Sequence, residues 1–335
     1  MKNSRLASLL PLLCVALVAC HSGNTMDTLD PHSDLTNDIM ALYSRITWWT
    51  VLLFILVQGG LLYIVMRFRE RGDEKGEPEQ VHGNLKLEIA WTIAPVVILM
   101  HITVPTVAII FKTQAEPTAD ALIVNAMGKQ WWFEFNYPEY GITNANEMHI
   151  PEGRQIGVRL QSDNVIHAFW VPQLAAKRDM MPGRVNRIQF TAQKQGTYMA
   201  QCAEYCGDSH ALMKFFVVVE AKEAFDAWVK GQQAPADMTT PEAVAAKPIF
   251  ASTCAACHAV DGSDFHMTTA PNLTHVGSRT HIASGILENT QENRVKWIAD
   301  SASIKPGSKM ADAVAAAHLT PEQVGVLADW LGTLK

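Results

Sequence analysis

The chain has 335 residues, of which 48% are hydrophobic, and a formal net charge of −6. This length exceeds one ordinary domain and indicates two or three. Because the net charge is small and no block of like charge occurs, the sequence predicts no nucleic-acid-binding arm or acidic tail, and we expect no nucleic-acid partner.

Residues 1–19 are typical of a secretory signal peptide. Lys2 and Arg5 precede an apolar stretch, and small residues precede Cys20. The sequence LVAC at 17–20 resembles a bacterial lipobox, which predicts lipidation of Cys20 and a mature chain that begins there. The alternative is a plain signal peptide with an incidental cysteine. In either case residues 20–45 would form an exported N-terminal segment.

Two uncharged apolar stretches, 46–66 and 89–111, contain 21 and 23 residues. Each reaches the roughly 20 residues that a membrane-spanning helix needs, so we predict a transmembrane hairpin with membrane lipid around it. The connecting loop, 67–88, is rich in basic residues, whereas 21–45 contains only Arg45. The positive-inside rule therefore predicts a cytoplasmic loop and places everything after Phe111 outside the membrane.

Residues 112–222 contain short β-rich runs separated by turn residues, which predicts an all-β sandwich or barrel. The runs are ALIVNAM, WWFEF, RQIGVRLQ, VIHAFWV, RVNRIQF, TYMAQC and KFFVVVE. The polar, proline-containing sequence that follows predicts a linker at 223–241. Residues 242–335 are predicted to be helical. The last helix would begin at a Thr320 cap, and Trp330 in it would fill the core.

The helical region contains CAACH at 254–258, the signature of covalent haem c attachment. Cys254 and Cys257 would form the thioethers, and His258 would bind one axial face of the iron. The alternatives are a chance match and a thioredoxin-like redox pair. For the second axial ligand we predict Met310, because the Pro-Gly turn before it would bring its loop over the haem, and a Met/His pair suits an electron carrier. The competitors are Met267, His266, His275, His281 and His318.

The segment QCAEYCGDSHALM at 201–213 combines two cysteines, a histidine and a methionine. Thiolate, imidazole and a weak thioether indicate copper in a cupredoxin-type site, because zinc sites do not use a thioether. A mononuclear site needs one cysteine, so the second predicts two copper ions bridged by both sulfurs. A second histidine is then required, and His167 lies on a plausible neighbouring strand. The alternative is a buried histidine with two inert thiols.

QCAEYCGDSHALM together with VIHAFWVP resembles subunit II of haem–copper cytochrome c oxidases, which carries the dinuclear CuA centre. KQWW, LEIAWTIAP and AAKRDMMPG belong to the same resemblance, which covers about residues 40–220. CAACH and APNLTHVGSR extend it to the caa-type oxidases with a fused cytochrome c. The resemblance implies a multidomain fold: a transmembrane hairpin, a cupredoxin-like sandwich and an all-α class I cytochrome c domain.

The resemblance also implies roles for individual residues. The implied copper ligands are the side chains of His167, Cys202, Cys206, His210 and Met213, and the backbone carbonyl of Glu204. The Glu204 carboxylate is a candidate ligand for magnesium shared with subunit I.

Two further roles follow from the resemblance. Trp131 matches the aromatic residue through which electrons come in, although Trp132 and Phe133 depart from the family's W-Y-W pattern. Glu88 matches a carboxylate at the mouth of a proton pathway into subunit I; its alternative role is an interfacial charge at a helix start. His101 inside the second span is expected to pack rather than to function.

The implied function is electron transfer from haem c through CuA to a catalytic subunit that reduces oxygen to water and pumps protons. The implied partners are subunit I, other oxidase subunits and cytochrome c or another donor, and the implied location is the outer face of a bacterial inner membrane. The alternatives are subunit II of a quinol oxidase, the CuA subunit of a nitric or nitrous oxide reductase, and a free-standing anchored carrier or copper-delivery protein.

Overall fold

The computed structural model describes residues 26–69, 76, 80 and 82–335. The predicted signal peptide, the lipidation site Cys20 and part of the loop at 67–88 lie outside the described residues, so those interpretations stay predictions. The chain divides into two units, one formed by residues 37–116 and the other by residues 117–335 together with the residues up to 36.

The first unit is a pair of long apolar helices, α1 (Asp34–Arg67) and α2 (Leu85–Gln114). Both are long and apolar enough to cross a membrane. Both extend beyond the predicted 46–66 and 89–111, and α1 begins inside the segment that we assigned to an exported N-terminus. The helices are longer than the predicted stretches because the prediction counted only uncharged residues, whereas the hydrogen bonds of a helix continue into polar residues. Asn84, for example, caps α2 by accepting from the backbone of Lys86 and Leu87.

Within this unit, His101 packs against an aromatic neighbour. Its ring meets that of Trp49 edge-on at 5.9 Å, in line with the packing role that we expected.

The second unit begins with a sandwich of two five-stranded sheets, ordered β3-β2-β1-β5-β8 and β4-β10-β9-β6-β7. The β1–β5 and β4–β10 pairs are parallel and the others antiparallel. The strands are β1 Leu122–Lys129, β2 Trp132–Tyr137, β3 Ile142–Ala145, β4 Glu147–Pro151, β5 Gln155–Ser162, β6 His167–Val171, β7 Ala175–Met180, β8 Asn186–Thr191, β9 Gly196–Cys202 and β10 Lys214–Glu220.

The sandwich core is aromatic and follows from strict alternation along the strands. In β1 and β2 every second residue is buried, so one face of each strand is apolar. Phe133 and Phe169 both pack on Phe215, with ring centroids 4.5 and 5.1 Å away. All seven predicted runs are strands. The prediction missed β3, β4 and β7, which are short or carry charged residues among their exposed positions.

The predicted linker at 223–241 begins with a helix, α3 (Lys222–Gln232). Phe225 and Val229, four residues apart, are buried on one face of the helix. Trp228 stacks on His149 of the sandwich at 4.4 Å. This helix therefore packs on the sandwich, and only the remainder of the segment is irregular.

The C-terminal domain is mainly helical, as predicted, with two short hairpins. Its elements are α4 Pro241–Thr253, β11 Ala259–Val260, β12 Phe265–His266, β13 His281–Ile282, β14 Leu287–Glu288, α5 Gln291–Ala299, α6 Ser301–Ile304, α7 Lys309–Ala317 and α8 Pro321–Thr333. Thr320 and Gln323 form a capping box at the start of α8. Trp330 is fully buried against Phe250, which confirms its role in the core.

Candidate copper and haem centres

The six groups predicted to bind copper meet at one end of the second sheet. His167 begins β6, Cys202 ends β9, and Met213 immediately precedes β10. Because β6 and β10 both pair with β9, these three positions are neighbours. The backbone N–H of Cys202 donates to the Met213 carbonyl at 2.9 Å. The loop between β9 and β10 supplies the remaining groups.

The donor atoms are within a few ångströms of one another. The sulfurs of Cys202 and Cys206 are 3.8 Å apart. The Cys202 sulfur is 3.9 Å from Nδ1 of His167 and 3.2 Å from the Glu204 carbonyl oxygen. The Cys206 sulfur is 3.5 Å from Nδ1 of His210 and 3.9 Å from the Met213 sulfur. Two central thiols, each with its own imidazole, fit a pair of soft metal ions, and this donor set is typical of copper.

The surroundings of His167 fix its orientation. Its Nε2 lies 2.9 Å from the Asn164 side-chain oxygen, so the Nε2–H donates there and Nδ1 is left facing Cys202. Gly128 of β1 lies against the ring, and a Cβ atom at that position would be 2.8 Å from Cδ2 of His167. The imidazole is fully buried and has little room to rotate.

The two thiols are electrostatically coupled. Their hydrogen bond lowers the pKa of Cys202 against the effect of burial. The contact with Cys202, together with burial, raises the pKa of Cys206. Since the thiolate is the metal-binding form of cysteine, the site holds one sulfur ready as a ligand, and a cation is needed to favour the second.

The CAACH segment borders a cavity that lies between the C-terminal domain and the sandwich. Cys254 caps the end of α4, and both Cys254 and Cys257 are free thiols. His258 and Met310 line a cavity of about 210 Å³. Nδ1 of His258 lies 2.8 Å from the Pro271 carbonyl, so it carries the proton and leaves Nε2 as the free lone pair. Burial lowers the pKa of His258, which keeps the imidazole neutral, as a metal ligand must be. This donor set fits a covalently attached haem, and we name the space the haem cavity.

Two of the six candidates for the second axial ligand line the haem cavity, Met310 and His281. Met310 is the second residue of α7. His281 is engaged elsewhere: its ring stacks on Phe216 at 4.2 Å, and its Nδ1 contacts the Thr280 hydroxyl at 2.9 Å. Met267, His266, His275 and His318 are not among the residues that line the cavity.

The remaining predicted residues have distinct environments. The Glu204 carboxylate forms a partly exposed ion pair with Lys177 at 3.0 Å. Glu88 is exposed in the first turn of α2. Nε1 of Trp131 donates to the Cys206 carbonyl at 3.0 Å, and Trp131 also lines the haem cavity.

Several residues around the two centres were not predicted from the sequence. Asn164 could have been found, because it lies three residues before His167 in the same segment. Gly128, Ser284 and Lys305 come from distant parts of the chain, and no local pattern marks them.

Family profiles match three parts of the chain. They are "Cytochrome C oxidase subunit II, transmembrane domain" at 24–109, "Cytochrome C oxidase subunit II, periplasmic domain" at 141–221, and "Cytochrome c" at 243–335. The three matches follow the order of the hairpin, the sandwich and the helical domain.

Relatives of similar length carry corresponding names. Cytochrome c oxidase subunit 2 of Bacillus sp. (strain PS3) is 36% identical and aligns over 99% of this chain and 98% of its own. The Bacillus subtilis (strain 168) protein of that name is 32% identical over 100% and 98%. Quinol oxidase subunit 2 of Bacillus anthracis is 32% identical over 71% of this chain and 83% of its own. The solved periplasmic domain of cytochrome oxidase subunit II from Bradyrhizobium japonicum is 34% identical, covers 35% of this chain and 96% of its own, and has a TM-score of 0.34.

Proposed function

Since the chain belongs to the cytochrome c oxidase subunit II family and ends in a cytochrome c domain, we propose that the donor atoms converging at residues 167–213 hold a dinuclear copper centre. Six donors in the pattern that two ions need meet at one end of the sandwich, and this convergence carries the proposal. The ligands would be His167, His210, Cys202, Cys206, Met213 and the Glu204 carbonyl.

We propose a second centre in the C-terminal helical domain, which we name the haem domain. Cys254 and Cys257 would hold a haem covalently, with His258 and Met310 as axial ligands. When bound, the haem and the copper pair supply reversible one-electron chemistry to this electron-transfer subunit of a cytochrome c oxidase. The chain's own residues orient the ligands: Asn164 and the Pro271 carbonyl each fix the tautomer of one histidine. The copper ligands His167, Cys202, Cys206 and Met213 are buried, which excludes water and limits rearrangement at that site.

The chain is membrane-anchored and carries a periplasmic-type domain. We propose the bacterial inner membrane as its location, with both centres on the outer face. Its partners would be the haem–copper catalytic subunit I, which reduces oxygen to water with proton pumping, other oxidase subunits, and cytochrome c or another donor upstream. Magnesium at the Glu204 carboxylate, proton uptake at Glu88 and lipidation at Cys20 stay predictions.

The competing functions make different demands on the site. A quinol oxidase subunit would need neither the copper ligands nor the haem domain. A copper-containing nitric or nitrous oxide reductase could use the same copper site, but the hairpin and the cytochrome c domain together favour the oxidase. A free-standing carrier would have no use for two full membrane spans.

Purification of the intact chain from bacterial membranes tests the proposal. We expect two copper ions and one covalent haem per chain, co-isolation with a large haem-containing membrane subunit, and oxygen uptake with reduced cytochrome c as donor. Oxygen uptake with quinol alone, or isolation of the chain without a partner, would contradict it. A spectrum of single cupric ions would contradict the dinuclear assignment.

A further inference from the structure

Trp131 contacts both proposed centres. Its indole Nε1 donates to the Cys206 carbonyl in the loop between β9 and β10, which we name the copper loop. The same ring lies between two glycines: a Cβ at Gly207 would be 3.0 Å from it, and a Cβ at Gly307, in the haem domain, would be 2.7 Å from it. Such spacing leaves no room for a side chain at either position. The indole is thus in close contact with the copper loop on one side and with the loop before Met310 on the other.

One buried lysine of the haem domain is attached to the backbone of this tryptophan. Lys305 is 4% exposed, and its Nζ donates to the Trp131 carbonyl and, at 2.5 Å, to the Ser284 hydroxyl. The Ser284 hydroxyl itself donates to the Trp131 carbonyl at 2.9 Å. The three groups form a closed triangle of hydrogen bonds between the sandwich and the haem domain.

Neighbouring contacts extend this attachment to the copper ligands. The Ser284 carbonyl accepts from the backbone N–H of Lys214 at 3.1 Å, directly after Met213. The Ser209 hydroxyl, directly before His210, donates to the Pro306 carbonyl at 2.5 Å. The segments around Ser284 and Lys305 therefore attach the haem domain to both ends of the short stretch that carries His210 and Met213.

Burying a lysine at this position costs free energy that packing alone would not require. Burial lowers the pKa of Lys305 to about 7, because the charged amine loses its hydration. Among the described residues no carboxylate forms an ion pair with it. An apolar side chain of similar length would fill the space without that cost, so the donors of the amine are the property that distinguishes Lys305.

We propose that Lys305 is a positioning residue for electron transfer within the chain, because it holds the loop before Met310 against Trp131 beside the copper site. The inference rests on the proposed copper and haem assignments. Electron transfer falls steeply with the separation of the carriers, so a small displacement of one domain on the other is enough to slow it.

The test uses the purified complex with Lys305→Met, which keeps length and apolar volume but removes the donors, and with Ser284→Ala. The matched control is Lys247→Met, a half-exposed surface lysine of the same domain. Two quantities are measured: the electron-transfer rate between haem and copper, and hydrogen exchange of the Lys214 amide, which reports domain contact independently of activity. Exchange of the Val324 amide in α8 reports the folding of the haem domain.

We expect Lys305→Met to accelerate exchange at Lys214 by about tenfold, the loss of roughly one hydrogen bond, and to slow electron transfer by at least a similar factor. Ser284→Ala should act in the same direction, and the control should match wild type. Unchanged exchange and rate in Lys305→Met would overturn the proposal, and so would faster exchange at Val324, which would make Lys305 a general folding residue. Loss of the proposed function itself would appear differently, as wild-type protein without two copper ions or covalent haem.

Discussion

The sulfur atoms of Cys202 and Cys206 lie 3.8 Å apart, the first at the end of β9 and the second in the loop that follows. No disulfide joins them, because a sulfur–sulfur bond measures about 2.05 Å. Each sulfur has its own imidazole neighbour, His167 for Cys202 and His210 for Cys206. The two thiols and two imidazoles form a paired donor set that would suit two metal ions, whereas the Glu204 carbonyl lies beside Cys202 and the Met213 sulfur beside Cys206.

Replacing one central thiol should remove the copper pair without affecting the haem. We expect Cys206→Ser to lose dinuclear copper, since a hydroxyl does not bridge soft metal ions, while the covalent haem remains. Cys257→Ser gives the reciprocal control: one thioether is lost and copper stays at two per chain. Elemental analysis and haem absorbance measure both quantities. Two copper ions retained in Cys206→Ser would refute the bridging role.

The absence of a side chain at Gly128 should be necessary for the position of His167. In Gly128→Ala the new methyl group would lie 2.8 Å from the ring, and such overpacking costs about 1–3 kcal/mol. We expect a lower unfolding temperature, reduced copper content and an altered copper spectrum. Gly231→Ala is the control, because nothing lies within 4 Å of its Cβ position. Full copper occupancy with a wild-type spectrum would show that His167 has more freedom than the structure indicates.

Local patterns in the sequence were sufficient to predict that most of the donor groups lie close together, but not which residues support them. Five of the six groups predicted to bind copper lie within thirteen residues, so their spacing already brings the donors together. His167 required only the inference of a neighbouring strand. Contacts across long separations left no such trace: Lys305 meets Trp131 from 174 residues away. The polar β7 and the helix α3 were missed because tertiary packing, rather than local propensity, stabilises them.

The second axial ligand of the haem can be assigned by replacing Met310 with a residue that has no sulfur. We expect Met310→Leu to keep the covalent haem but to lower its reduction potential, because a methionine ligand raises that potential. A redox titration of the haem absorbance measures the change. Met267→Leu, at a position 48% exposed, should match wild type. An unchanged potential in Met310→Leu together with a shift in His281→Leu would assign the ligand to His281 instead.

A second group of charges, on β4 and β10, joins the sandwich to the haem domain. His149 lies 3.2 Å from Glu220 and 3.8 Å from Glu147. The Glu147 carboxylate accepts from the backbone N–H of Thr280, in the haem domain, at 2.7 Å. Burial disfavours the charged imidazole, but the ion pair with Glu147 and the hydrogen bond to Glu220 outweigh it and raise the pKa of His149. For Glu147, burial is outweighed by the ion pair with His149 and the hydrogen bonds from Thr280, and its pKa is lowered.

The directions of the pKa shifts of His149 and Glu147 predict how the stability of the chain depends on pH. The pKa of His149 is raised above its ordinary 6.5, so its contribution is fully present below about pH 6.5 and is lost as the pH rises through the higher folded-state value. The contribution of Glu147 is lost only as the pH falls through a value below 4.5, so Glu147 stays ionised throughout the experiment. We expect His149→Gln to cost on the order of 1 kcal/mol at pH 6 and clearly less at pH 9, measured as the unfolding temperature of the intact chain. His266→Gln, at an exposed position, should show no such pH dependence. A stability difference for His149→Gln that is constant or grows as the pH rises would mean that the imidazole is not charged in the folded protein.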